Sequence, residues 1–177
     1  MTHNRKVVLF IATSLDGYIA TKEESLDWLM ETEGEGDNGY AEFYQTIDAV
    51  IMGKKTYDWV MNHELEEFPY KGKACYVYTR STNVEDTEDV TFVRGEVSEL
   101  IHQLQQQPGK NIWIVGGGEL LHHFIKKDLV DEYIITIAPT ILGGGIPLFK
   151  EDNQTTKLKL NQIKQYGDFA EIRYTKK

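Results

Sequence analysis

Two apolar runs that drop straight into glycine and emerge as helix constrain this chain more than any other feature. The first is DAVIM (48–52), followed by Gly53 and then KKTYDWVM (54–61). The second is Ile112-Trp113-Ile114-Val115, followed by Gly116, Gly117 and Gly118 and by a segment with helical potential that runs to Lys127. A short continuous apolar run bounded by turn residues reads as a strand buried on both faces. A strand that passes through a glycine turn into a helix is the repeating unit of a parallel sheet. Glycine suits the joint because it tolerates positive φ and carries no Cβ to hold a ligand off. The same joint brings bare backbone N–H groups up to an anion. A glycine run alone fits an ordinary tight turn equally well, so other stretches must decide.

The remaining segments fit the same architecture. KVVLFIAT (6–13) is a further near-continuous strand, and Asp16-Gly17 marks the turn after it. Residues 21–39 are polar and acidic, with few apolar residues (Leu26, Trp28, Leu29 and Met30), and read as a long loop with one helical turn. Apolar positions in YAEFYQTI (40–47) recur at helical spacing. KACYVYTR (73–80) and VTFV (90–93) read as strands. VSELIHQLQQ (97–106) reads as a helix with Ser98 as its N-cap, stopped by Pro108-Gly109. DEYIITIAPT (131–140) is another strand and LGGGIPLF (142–149) a glycine-rich connection. LKLNQIKQY and FAEIRYT alternate apolar and polar residues about Gly167-Asp168, as an antiparallel hairpin does. The expected fold is α/β: one domain over residues 1–177, a mainly parallel central sheet flanked by helices, and an antiparallel C-terminal hairpin.

Composition narrows the function. The formal net charge of −9 argues against a nucleic-acid partner, whose footprint would be a basic stripe. A small polyanion needs only a few local cations and N–H donors, so it stays open. Cys75 is the only cysteine, which rules out an internal disulfide and suits the cytoplasm. The run Val7 to Ala12 is too short for a signal-peptide core, and no run approaches a membrane span. The histidines lack metal-ligand spacing, so no metal is assigned.

In a parallel sheet the strand C-termini share one edge, and ligands bind in the crevice there. Three joints therefore converge: Gly53-Lys54-Lys55-Thr56, Thr79-Arg80-Ser81 and Gly116-Gly117-Gly118. Helix N-termini, lysines and an arginine together make a receptor for a dinucleotide pyrophosphate with an additional phosphate. The Rossmann fingerprint is absent, because the third spaced glycine and the later acidic residue are both missing.

SLDGYIA, DAVIMGKKTYD, the strand ending YTR, IWIVGGGELL and PTILGGGIPLF, in this order, resemble the dihydrofolate-reductase-like fold. The likeness is greater to the RibD C-terminal-domain family, the reductase half of the riboflavin-biosynthesis deaminase/reductase. The resemblance implies NADPH as hydride donor. It implies that Gly53, Lys54, Lys55 and Thr56 begin the helix that meets the cofactor phosphates. It assigns the adenosine 2′-phosphate to Thr79, Arg80 and Ser81, with Arg80 separating NADPH from NADH because a guanidinium forks onto a phosphate. Val115, Gly116, Gly117, Gly118, Glu119 and Leu120 would line the pyrophosphate, and Ala12 and Ile19 the nicotinamide. It also implies a homodimer paired through sheet edges.

The substrate side follows the family less well. Dihydrofolate reductases place a carboxylate on the first helix to bind the pterin and assist protonation; Asp37 or Glu42 is the candidate here. Asp16 reads as a turn residue. The riboflavin reductases carry basic residues on the helix before DAVIMG, whereas YAEFYQTI has none, and WVMNHELEEFPY replaces their continuation after the DAVIMGKKTYD joint. The aromatic residues there suit a flat substrate of low charge, and equally a helix face packed in a core. The expectation is an NADPH-dependent reductase acting on a C=N or C=O of a pterin- or pyrimidine-like small molecule. Competing readings are a nucleotide-binding sensor without turnover and an unrelated α/β dehydrogenase.

Overall fold

The computed structural model describes residues 4–63 and 66–177, so Glu64 and Leu65, inside the WVMNHELEEFPY stretch, lie outside the described residues. The elements in chain order are β1 Val7–Thr13, β2 Tyr18–Ala20, α1 Asp27–Met30, α2 Tyr40–Tyr44, β3 Ile47–Gly53, α3 Lys54–Asn62, β4 Ala74–Tyr78 and β5 Val90–Val93. They continue with α4 Val97–Gln105, β6 Asn111–Gly116, α5 Gly118–Lys126, β7 Glu132–Ile137, β8 Ile146–Pro147, β9 Leu158–Tyr166 and β10 Phe169–Lys176. Eight strands form one sheet in the order β5-β4-β3-β6-β1-β7-β10-β9. The first six run parallel. β10 is antiparallel to both β7 and β9, with a bulge at Arg173/Tyr174.

The sheet is covered on both faces, which explains the unbroken apolar runs. One face packs Leu9, Ile51, Ile112 and Ile114 against Leu100, Ile101 and Leu104 of α4 and Leu121 and Phe124 of α5. The other packs Val8, Val50, Met52 and Trp113 against Phe43 of α2, with Tyr57 of α3 alongside. Each fully buried side chain of this size contributes about 1.5–3 kcal/mol relative to exposure, so these two layers dominate stability.

Several expected boundaries move. The 40–47 helix stops at Tyr44, because the Thr46 hydroxyl donates to the Phe43 carbonyl at 2.6 Å and turns the chain. Ile47 instead begins β3, fully buried. Ser98 does not cap α4. Val97 is already helical and buried, Glu96 holds the N-cap position, and Ser98 lies within the first turn. The 131–140 strand is shorter, Glu132–Ile137. The connection after it contains β8, which pairs with β2. Neither short strand has enough apolar alternation to be seen alone; each exists because the other does.

That small sheet matters for the site. The segments following β1 and β7 are tied into one plate by Leu15 N–H to the Thr140 carbonyl (2.7 Å) and Leu148 N–H to the Gly17 carbonyl (2.9 Å). Asp16 clamps it further, accepting from the Ser14 hydroxyl at 2.7 Å and from the Gly143 and Leu142 amides at 2.8 and 3.1 Å. Those bonds, led by the Ser14 hydroxyl, hold the Asp16 carboxyl below the usual carboxylate range. Asp16 is thus a turn clamp. At the opposite edge, buried Arg5 pairs with Asp48 and donates to the carbonyls of Lys110 (2.7 Å) and Leu104 (3.1 Å), closing the strand starts.

Candidate active site

The parallel register places the three joints side by side. Gly53 pairs with Tyr78, the residue before Thr79, and Met52 pairs with Gly116. A Cβ built at Gly53 would lie 3.8 Å from the Gly117 amide nitrogen, and one at Gly117 would lie 3.4 Å from Thr56 Oγ1. The N-termini of α3 and α5 therefore face each other across a gap lined by backbone. Neither N-cap residue, Gly53 or Gly117, has a side chain to satisfy the first-turn amides. Two helices of nine residues each bring to one spot first-turn N–H groups that, among the described residues, no N-cap side chain satisfies, together with positive dipole ends. Gly116 has φ +139°, a backbone that L side chains rarely adopt.

Arg80 extends from the β4 tip toward α5, with Nη2 3.6 Å from Glu119 Oε1; their side chains are 92% and 69% exposed. An exposed pair of this kind is worth little. The guanidinium is therefore held near the gap yet easily drawn onto a competing anion. Thr79 is buried, and its hydroxyl accepts from the Ser81 amide at 3.0 Å, fixing the turn that carries Arg80. A second guanidinium stands there as well. Arg94, just past the β5 tip, donates Nε–H to the Ser81 carbonyl at 2.7 Å. Arg94 is not among the residues expected from the sequence, because no glycine joint marks the tip of VTFV as one of those sharing the edge.

Other candidates divide. The Lys54 ammonium turns along its own helix to Asp58 at 2.5 Å, which leaves its backbone amide as the group facing the gap. Lys55 is exposed on the same first turn. Gly118 closes against the plate: its built Cβ would sit 3.2 Å from Ile146 Cγ2 and 3.5 Å from Ile19 Cδ1. Ile19 is thereby part of the crevice wall. Ala12 is half-buried near the β1 tip. Val115 is half-buried on the α2 face, whereas Leu120 points into the core, leaving only its backbone to the site.

The two carboxylate candidates are not brought to this gap. Asp37 accepts from the Gly39 amide (3.0 Å) and the Ala41 amide (2.8 Å), so it closes the start of α2. Glu42 borders a hollow of about 110 Å³ that it shares with Val8, Asn111, Glu132 and Arg173. Val8, Asn111 and Glu132 belong to strand starts, which puts Glu42 toward the edge opposite the glycine joints.

NADPH fits this arrangement. The gap has glycine where a side chain would intrude, uncapped amides where a pyrophosphate needs donors, and guanidinium groups at one end.

A protein of Bacillus subtilis, YwjB, is 49% identical to this chain over 172 residues, covering 97% of this chain and 98% of its own length. A second protein of that organism, YyaP, is 34% identical, with 94% of each chain covered. Among solved structures, a Shewanella sp. PV-4 protein under a provisional riboflavin-biosynthesis name superposes with a TM-score of 0.86 at 32% identity, covering 97% of this chain and 99% of that one. The dihydrofolate reductase of Enterococcus faecalis, complexed with NADP(H), shares the fold with a TM-score of 0.65 at 15% identity, over 97% of this chain and 96% of its own. The family model described as the RibD C-terminal domain matches residues 5–170, and the chain belongs to that family.

Proposed function

We propose that this protein is an NADPH-dependent reductase that delivers a hydride to a C=N or C=O bond of a pterin- or pyrimidine-like small molecule. The observation that carries the reading is the meeting of two uncapped helix N-termini at glycines on neighbouring strand tips, with Arg80 at the rim. The hydride is the contribution of the bound cofactor. The chain holds and orients. Amides at Lys54 and at the triple glycine, with Thr56, would grip the pyrophosphate; Thr79 and Ser81 shape the turn from which Arg80 would reach the 2′-phosphate, with Arg94 beside it. Ile19 and Ala12 would flank the nicotinamide.

The face of α2 is aromatic, with Phe10 stacked on Phe43 at 4.0 Å and Tyr40 on Tyr44 at 5.6 Å. It carries no lysine or arginine. This supports a flat substrate without a ribose phosphate. A single buried cysteine is in keeping with a cytoplasmic setting. The edge strand β9, with Leu160 and Ile163 exposed, is the surface we assign to a homodimer.

Turnover tests the proposal. The full chain is mixed with NADPH and a panel of oxidised pterins, aminopyrimidinones and small carbonyls while the reduced-nicotinamide absorbance is followed. Consumption with at least one ring compound is expected. Tight NADPH binding without consumption across the panel would leave a nucleotide sensor instead.

A further inference from the structure

Glu171 on β10 is wholly buried, and its role is unexplained by the cofactor site. Its Oε1 accepts from Arg173 Nε at 2.8 Å; Oε2, also buried, has no hydrogen-bond partner among the described residues. Lys164 lies directly across on β9, yet its ammonium is 4.0 Å from Glu42. A carboxylate out of water is unfavourable unless both oxygens find donors, so a purely architectural Glu171 would be expected to satisfy Oε2 as well.

The register gives that oxygen a location. Ala12 pairs with Thr136, and Thr136 pairs with Glu171, one row across β1, β7 and β10. Directly paired residues present their side chains to the same face and stand about 5 Å apart, so Glu171 lies roughly 10 Å from Ala12. The row is on the α2 side, where Phe10, two residues before Ala12, stacks on Phe43. The cover over this face is α2 and the loop before it: the Asp168 amide donates to the Glu33 carbonyl at 3.1 Å, and Gly39 packs beside the Tyr166 hydroxyl.

We propose that Glu171 Oε2, with the Thr136 hydroxyl next to it, is the acceptor that binds the substrate ring, and that the substrate is a nitrogen heterocycle offering N–H donors at that end. An unpartnered carboxyl oxygen accepts hydrogen bonds, so it favours ring N–H or amino groups over bare carbonyls. This inference rests on the reductase reading, since that reading places the nicotinamide beside Ala12. The 31–39 loop and α2 must part to admit the ring.

The test uses the full chain, NADPH, and two small probes, 2-aminopyrimidine and 2-methylpyrimidine, which differ in the N–H donors. Dissociation constants are read by ligand-observed NMR. The amino probe should bind at least about tenfold more tightly than the methyl probe, the scale of a hydrogen bond to a charged group. Glu171→Gln should remove that preference while NADPH affinity stays unchanged, and its melting temperature should not fall. Thr136→Val should weaken the preference in the same direction. Amino-probe affinity that is equal in wild type and Glu171→Gln, or undetectable in a wild type that binds NADPH, overturns the inference and leaves the reductase reading intact. A wild type that fails to bind NADPH overturns the reading beneath it. Should Glu171→Gln not fold, an unchanged preference in Thr136→Val overturns the inference equally.

Discussion

Gly117→Asp should leave the chain folded and abolish NADPH binding. Gly117 has φ −79° and ψ −167°, extended backbone open to any residue. Its new Cβ would meet only Thr56 Oγ1, at an ordinary 3.4 Å. Aspartate is a favoured N-cap, so α5 should gain about 1 kcal/mol in denaturant titration. The new carboxylate would take the first-turn amides for itself and stand where the cofactor phosphates would lie. Two like charges about 4 Å apart repel by about 4 kcal/mol at an effective dielectric near 20, which predicts a loss of affinity beyond about a hundredfold. Unchanged NADPH affinity in a folded Gly117→Asp protein would remove the phosphates from this gap.

Gly145→Ala should be the most destabilising small substitution in the plate beside the crevice. Gly145 has φ +141°, and a Cβ there would lie 2.2 Å from the Ala20 carbonyl oxygen and 3.3 Å from Thr21 Cα. Those are backbone atoms of the last residue of β2 and of the residue after it, so β2 and β8 would have to separate. The strained φ alone costs about 1–3 kcal/mol, and with the clash the expected loss is about 3 kcal/mol or more. Gly143→Ala is the control. It has φ +74° with nothing within 4 Å of its built Cβ, so only the left-handed penalty of about 1–2 kcal/mol applies. Urea denaturation separates the two, and equal losses would mean that Gly145 does not pack against Ala20. NADPH affinity should also fall in Gly145→Ala, since Ile19 and Ile146 brace Gly118 from this plate.

The sheet was legible because its strands are buried on both faces, and continuous runs such as VVLFIA and DAVIM leave little choice of state. The glycine joints were legible for the same reason: a strand end followed by glycine and a helix places its own N–H groups. What escaped notice depended on partners distant in sequence. β2 and β8 are short and irregular, and only the pairing of Tyr18 with Pro147 and of Ala20 with Ile146, far apart in sequence, makes them strands. Serine is a favoured cap residue, which makes Ser98 a candidate; buried Val97 begins the helix two residues earlier than a cap at Ser98 would allow, and Glu96 takes the N-cap position. Glu171 was hidden by alternation. In FAEIRYT the apolar Ile172 and Tyr174 suggest the inner face and Glu171 the outer, yet both faces are covered, and Phe169, Glu171 and Arg173 share the α2 side. Arg94 required knowing that β5 ends beside Thr79, whose amide donates to the Val93 carbonyl at 3.1 Å.

Calorimetric titration of the full chain with NADPH and with NADH, repeated on Arg80→Ala, bears most directly on the grip at the strand tips. The arrangement predicts NADPH at least about tenfold tighter than NADH in the wild type, the scale of one charge-assisted phosphate contact, and a gap that closes in Arg80→Ala. Equal affinities in the wild type, or a preference untouched by the substitution, would contradict it.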